Sequence, residues 1–146
     1  MLSNTIRVEF CAGHRLLHHP GKCNRLHGHN YLVEATVSFV DSVPQHKAGY
    51  VIDFGDLKRV VKGFVDAEWD HYTLLHKSDP LCSVLNAAQQ HVRKMHVHPT
   101  AEGMARVLCG VIAGYLVSAD LTDSTMHVRV TIWETPNCSA TMELSV

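Results

Sequence analysis

The chain has 146 residues, a net charge of −1 and a pI near 6.9. That length suits one domain with a genuine hydrophobic core, and the balanced charge gives no basic surface for nucleic acid and no basic tail for a membrane. Residues 1–8 lack the apolar h-region of a signal peptide, and no apolar run approaches the roughly 18 residues that span a bilayer, so a cytoplasmic location is expected.

Residues 5–11 (TIRVEFC) alternate apolar and polar side chains and read as a strand. Residues 13–25 carry Pro20-Gly21 and read as a loop. Residues 27–40 (HGHNYLVEATVSFV) alternate again and form a long strand, followed by a turn over 41–49 that holds Pro44. Asp53 or Gly55 opens a helix in which Leu57, Val60, Val61, Phe64 and Val65 recur at helical spacing. Residues 69–75 (WDHYTLL) read as a loop or short turn, and a helix is placed around residues 81–93.

Thr100 is an N-cap after Pro99, with Glu102 in the first turn of a helix lined by Met104, Val107, Leu108, Val111, Ile112 and Leu116. Residues 126–133 and 140–146 alternate as strands, joined by a hairpin-type connection at Glu134-Thr-Pro-Asn. Two hairpins flank a helical middle. The fold class this predicts is α+β, a four-stranded antiparallel sheet with helices packed on one face. No linker divides residues 1–146, which read as a single domain.

Five scattered cysteines without a CxxC pair argue for reduced thiols; Cys11, Cys82, Cys109 and Cys138 read as packing residues. The twelve histidines are the anomaly in the composition. On a strand, residues i and i+2 share a face, so His27-Gly28-His29 sets two imidazoles side by side. His14 lies just past the first strand and completes a triad if the two strands form a hairpin; His18 and His19 are the alternative third ligands. Three nitrogens with one open position describe a catalytic zinc site, although nitrogen ligands also admit nickel or iron. A chance His-x-His pair is the plain alternative.

Cys23 lies four residues before His27, with Lys22 and Arg25 near, a setting that favours a thiolate; general base, fourth ligand and inert loop thiol all remain open. Asp70-His71 is a second acid–base candidate, read without a direct bond between the two neighbouring side chains. Glu134, at the end of an apolar strand, is either solvated or a buried anchor suited to a planar N–H pair. His91, His96 and His98 read as solvated.

Four separated patterns resemble one family. They are F-x-A-x-H at Phe10–His14, C-x-x-x-H-G-H-N-Y at Cys23–Tyr31, the run from Val51 to Lys58 followed by Asp70-His71, and Pro99-Thr-Ala-Glu102 paired with Trp133-Glu-Thr-Pro136. Together they are similar to the 6-pyruvoyl-tetrahydropterin and 6-carboxytetrahydropterin synthases. The resemblance implies the tunnelling fold, sheets joined into barrels, and two trimers stacked as a homohexamer with active sites between subunits. It implies Zn2+ on His14, His27 and His29, Cys23 as general base, Asp70 and His71 in proton relay, and Glu134 anchoring a pterin with Thr100 and Glu102 near. The implied substrate is 7,8-dihydroneopterin triphosphate. The three-residue gap between Cys23 and His27 resembles the 6-carboxy enzymes of queuosine biosynthesis, which release acetaldehyde and triphosphate. A 6-pyruvoyl product, or a non-catalytic metal-binding protein on the same fold, are the other readings. The sequence departs from the family in a longer stretch between His71 and Pro99 and in Tyr72-Thr-Leu-Leu75 after Asp70-His71.

Overall fold

The computed structural model describes residues 1–39, 49–122 and 126–146. The expected turn at 41–49 therefore falls, up to residue 48, outside the described residues.

β1 (Leu2–His14) and β2 (His27–Phe39) pair antiparallel along their full length, with Leu2 opposite Phe39 and His14 opposite His27. β1 runs three residues past the expected 5–11 at each end, because the ladder, not the hydrophobic pattern alone, sets where a strand stops, while β2 fills the expected span as far as residue 39. β5 (Met126–Thr135) joins β2 and carries β6 (Cys138–Ser145) on its other side, both antiparallel. These four are the strands expected from sequence. Two more extend the sheet beyond β1: β3 (Thr73–His76) runs parallel to β1, and β4 (Val92–Met95) runs parallel to β3.

Among the described residues the sheet is thus six-stranded and mixed, in the order β4-β3-β1-β2-β5-β6, not four-stranded and antiparallel. Residues 73–75, read as loop, are strand, and the expected helix at 81–93 is the short α2 (Leu81–Ala87) followed by β4. Segments of four residues hold too few alternations to announce themselves, and parallel pairing needs a distant partner.

Asp53 opens α1 (Phe54–Glu68), its Oδ1 accepting from the Gly55 N–H at 2.7 Å and the Asp56 N–H at 3.4 Å. α1 buries Leu57, Val61 and Val65. Thr100 caps α3 (Ala101–Ser118) as expected, its Oγ1 accepting from the Gly103 N–H at 3.0 Å. By length and composition alone α3 is long and apolar enough to cross a membrane, where the sequence pattern leads one to expect no such run. Its Met104, Leu108, Ile112 and Leu116 are instead fully buried in the core. Each such side chain contributes about 1.5–3 kcal/mol through burial.

Alternation decides what faces the helices. In β1 the buried row is Ile6, Val8, Phe10, Ala12 and His14; in β2 Tyr31, Val33, Ala35, Val37 and Phe39 are buried in line with His27 and His29. Three histidines therefore occupy the last places of an otherwise apolar inner face. The outer face carries cross-strand pairs instead: Arg7 with Glu34, Thr5 with Thr36, Arg129 with Glu143, and Thr131 with Thr141. Cys82 and Cys109 pack as expected, but Cys11 is exposed because its position in β1 turns the side chain away from the helices, and Cys138 is exposed at the start of β6, beside the bulge in β5 and ahead of the core-packed Ala140.

Candidate metal centre and active site

The β1–β2 register puts His14 opposite His27 and Ala12 opposite His29, all on one face. Gly28 sits between the two β2 histidines with the Ala12 carbonyl oxygen only 3.1 Å from where a Cβ would stand, so a larger residue would press the hairpin apart. One ring nitrogen from each of His14, His27 and His29 lies within 4.8 Å of the others. His14 Nε2 and His27 Nε2 are 3.1 Å apart. Two nitrogens bound to one tetrahedral zinc at about 2.0–2.1 Å are separated by roughly 3.3 Å, so the pair already has ligand spacing. His18 and His19, the alternative ligands, lie outside this group.

The tautomers follow from the partners. A carbonyl can only accept, so His14 Nδ1 donates to Pro99 O at 2.7 Å and His27 Nδ1 donates to Arg25 O at 2.7 Å. Each bond leaves the Nε2 lone pair free for a metal, the arrangement metal-binding histidines need. Burial pushes His14 down to about 4, with the neighbouring histidines adding and the Pro99 bond partly opposing. Burial also lowers His29, against the pull of the Glu134 carboxylate. His14 is therefore neutral at pH 7, the form that ligates.

Pro99 ties the centre to α3. Thr100 and Glu102 follow directly, and the Thr100 hydroxyl is already engaged as the helix cap. Glu134 lies near the end of β5, half-buried, where its charge acts on both His29 and Tyr31. Among the described residues its carboxylate has no hydrogen-bond partner. Cys23 sits in a 3-10 turn (Lys22–Asn24), half-buried, in a loop closed by the Leu16 N–H donating to Cys23 O at 2.9 Å.

Asp70 and His71 stand elsewhere. The His71 N–H donates to Cys11 O at 2.7 Å, and the Cys11 N–H donates to Asp70 Oδ1 at 3.0 Å, so the two residues clamp onto β1. Contrary to the sequence reading, their side chains do meet: His71 Nδ1 is 3.0 Å from Asp70 Oδ1. A left-handed backbone at His71 (φ 63°) folds the ring back over its neighbour. The Cys11 N–H, and then His71, hold the Asp70 carboxyl below its usual range. The exposed His71 ring lines a cleft of about 510 Å³ with Cys11, Gly13, Gly28 and Asn30, and Ala12 and His29 border the same cleft. Cys11 and Asn30 alternate with Ala12, His14, His27 and His29, so the side chains that stand beside His71 point to the face opposite the triad's rings. A single chain brings the three histidines together but not Asp70-His71 with them.

The model of the 6-pyruvoyl tetrahydropterin synthase family matches residues 4–145. The chain belongs to that family. It is 35% identical to a 6-carboxy-5,6,7,8-tetrahydropterin synthase of Rickettsia conorii over 140 residues, covering 94% of this chain and 97% of the relative. A probable 6-carboxy-5,6,7,8-tetrahydropterin synthase of Halobacterium salinarum is 37% identical, with 91% and 81% covered. Among solved structures, 6-pyruvoyl tetrahydropterin synthase of Plasmodium vivax superposes with a TM-score of 0.74 at 22% identity over the whole of both chains. The Caenorhabditis elegans synthase gives 0.64 at 23%, covering 99% and 96%. These two likenesses carry the fold, which is the tunnelling fold expected from the motifs.

Within the family frame, several residues of the site went unread in the sequence. The carbonyls of Pro99 and Arg25 hold two ligands but belong to backbone, and no side-chain pattern marks them. Tyr31 had a signal: it continues the i, i+2 row of His27 and His29, and its ring meets His29 edge-on at 5.4 Å between centroids. His91, His96 and His98 are exposed as expected, though His98 stacks on His76 at 4.5 Å.

Proposed function

We propose that this chain is a zinc-dependent pterin synthase that converts 7,8-dihydroneopterin triphosphate to 6-carboxy-5,6,7,8-tetrahydropterin with release of acetaldehyde and triphosphate, as in queuosine biosynthesis. The observation that carries the proposal is the His14–His27–His29 cluster, with two of its rings fixed by carbonyls so that their lone pairs converge. The names of the relatives at 35–37% identity support the product.

His14, His27 and His29 would hold the ion, which supplies Lewis acidity to the hydroxyls of the substrate side chain. Glu134 offers two carboxylate oxygens to the paired N–H groups of the pterin. Thr100 and Glu102 border that pocket through the Pro99 segment. Cys23 removes a proton from the substrate carbon chain. Asp70 accepts from His71 Nδ1, which aims Nε2 outward to give or take a proton.

Because His71 faces away from its own triad, the reading requires a second copy whose outer face meets the first copy's metal edge. A homo-oligomer with sites between subunits follows, a hexamer of two trimers in the family pattern. The reading needs no nucleic-acid or membrane partner and suits a reducing, cytoplasmic setting, since the cysteines are free.

The test is metal analysis joined to product analysis. The wild-type protein should hold zinc and release acetaldehyde from 7,8-dihydroneopterin triphosphate. Cys23→Ala should keep zinc and lose turnover, while His27→Ala should lose zinc. Turnover without acetaldehyde would move the assignment to a 6-pyruvoyl product. Full turnover by Cys23→Ala would defeat the acid–base scheme.

A further inference from the structure

Tyr31 is 1% exposed, and its hydroxyl is buried without a hydrogen-bond partner among the described residues. A buried hydroxyl left unpaired is uncommon and costly, so its partner belongs to another state of the site. The ring cannot move to find one. It stacks on Phe10 at 4.9 Å and 13°, and the edges of His14 and His29 close on it at 5.9 and 5.4 Å. The hydroxyl therefore stays where β2 puts it.

The acceptor that fits is Glu134. The β2–β5 ladder ends at Leu32 opposite Trp133, and Tyr31 and Glu134 are the residues next beyond that end on the two strands, with a β-bulge in β5 between Trp133 and Thr135. The charge of Glu134 already acts on Tyr31 in this structure, second only to burial in raising the phenol. Neither group has another side-chain partner among the described residues.

We propose that Tyr31 is a positioning residue for pterin binding: its hydroxyl donates to the Glu134 carboxylate when the pocket is filled, fixing that carboxylate against the heterocycle. A carboxylate has about four acceptor sites. Two would take the paired N–H groups of the ligand, and one of the others takes the phenol. The phenol keeps the carboxylate from swinging toward His29 or solvent. This rests on the proposed pterin chemistry of the same site.

Tyr31→Phe removes the hydroxyl and leaves the ring contacts. It should retain zinc in wild-type amount and melt no lower than the wild type. Affinity for neopterin, an unphosphorylated probe followed by its own fluorescence, should fall about tenfold, the loss of one hydrogen bond to a charged group. KM for the triphosphate should rise with little change in kcat. In a Glu134→Gln background the same substitution should change affinity less than threefold, since the carboxylate it serves is gone. Wild-type affinity in Tyr31→Phe, an undiminished loss in the Glu134→Gln background, or no neopterin binding by the wild type would each overturn the proposal. A protein that binds neopterin through Tyr31 and Glu134 yet turns over no triphosphate would instead count against the enzymatic reading alone.

Discussion

Gly103→Ala sets two effects against each other in one turn of helix. Gly103 is the third residue of α3 and donates its N–H to the Thr100 cap. Helix propensity alone favours alanine there by about 1 kcal/mol. A Cβ at this position would land far inside contact distance of the His98 carbonyl oxygen, with Val97 Cγ2 at 3.2 Å. Both the oxygen and its carbon are backbone, so relief means moving residues 97–99 by about an ångström. Overpacking of that kind costs about 3 kcal/mol, the upper end of its usual range, leaving a net loss of about 2 kcal/mol. At roughly 3 °C per kcal/mol for a chain of this size, the melting temperature should fall by about 6 °C. Pro99 moves with His98, and Pro99 O orients His14, so zinc affinity should fall about tenfold as well. Gly63 in α1 is the control, since a Cβ there meets nothing within 4 Å. Gly63→Ala should gain about 0.5–1 kcal/mol with zinc affinity unchanged. Thermal melts and competition with a chromophoric chelator read both numbers. A Gly103→Ala protein as stable as Gly63→Ala would refute the argument.

Two further outcomes are expected. Asp79, buried, takes both an Nε and an Nη2 bond from Arg15, at 2.8 and 2.5 Å, and this pair holds its carboxyl below the ordinary 3.8. Asp79→Asn should cost about 2 kcal/mol at pH 7, less than a fully buried pair because Arg15 retains contact with water. The unfolded chain takes up the Asp79 proton first, so the wild-type advantage is complete above about pH 4 and disappears as the pH falls through the folded-state value; urea titrations across that range would show a constant gap if the reasoning fails. Cys23→Ala and His71→Ala chains, each inactive alone, should recover about a quarter of wild-type activity when co-assembled in equal amounts, because one site in four then draws an intact residue from each side. No recovery in verified mixed assemblies would mean that the two residues serve the same chain's site.

The long elements were legible because they are long. β1, β2, α1, α3, β5 and β6 each repeat their period several times, and Asp53 and Thr100 mark helix starts with side chains. The triad was legible because i, i+2 spacing on a strand is itself a geometric statement. β3 and β4 were not, since TLLH and VRKM are four residues each and are stabilised by neighbours distant in sequence. The Asp70–His71 contact was missed for a local reason: side chains of adjacent residues rarely meet unless one backbone enters the left-handed region, and no glycine or asparagine announced that here. The side of the sheet on which His71 lies depends on the clamp to Cys11, a contact spanning sixty positions of chain.

The self-matched outer face has a bearing on how copies come together. Arg7 meets Glu34, Arg129 meets Glu143, and threonines answer threonines across the strands. These groups are already satisfied within one chain, so this surface gains little by being covered and loses little by staying wet. In the proposed homo-oligomer, association would draw its strength from strand borders and from the cleft around His71. In that proposed assembly, subunits held only at borders and one cleft should trade places on an accessible timescale, which mixing two differently labelled preparations would show.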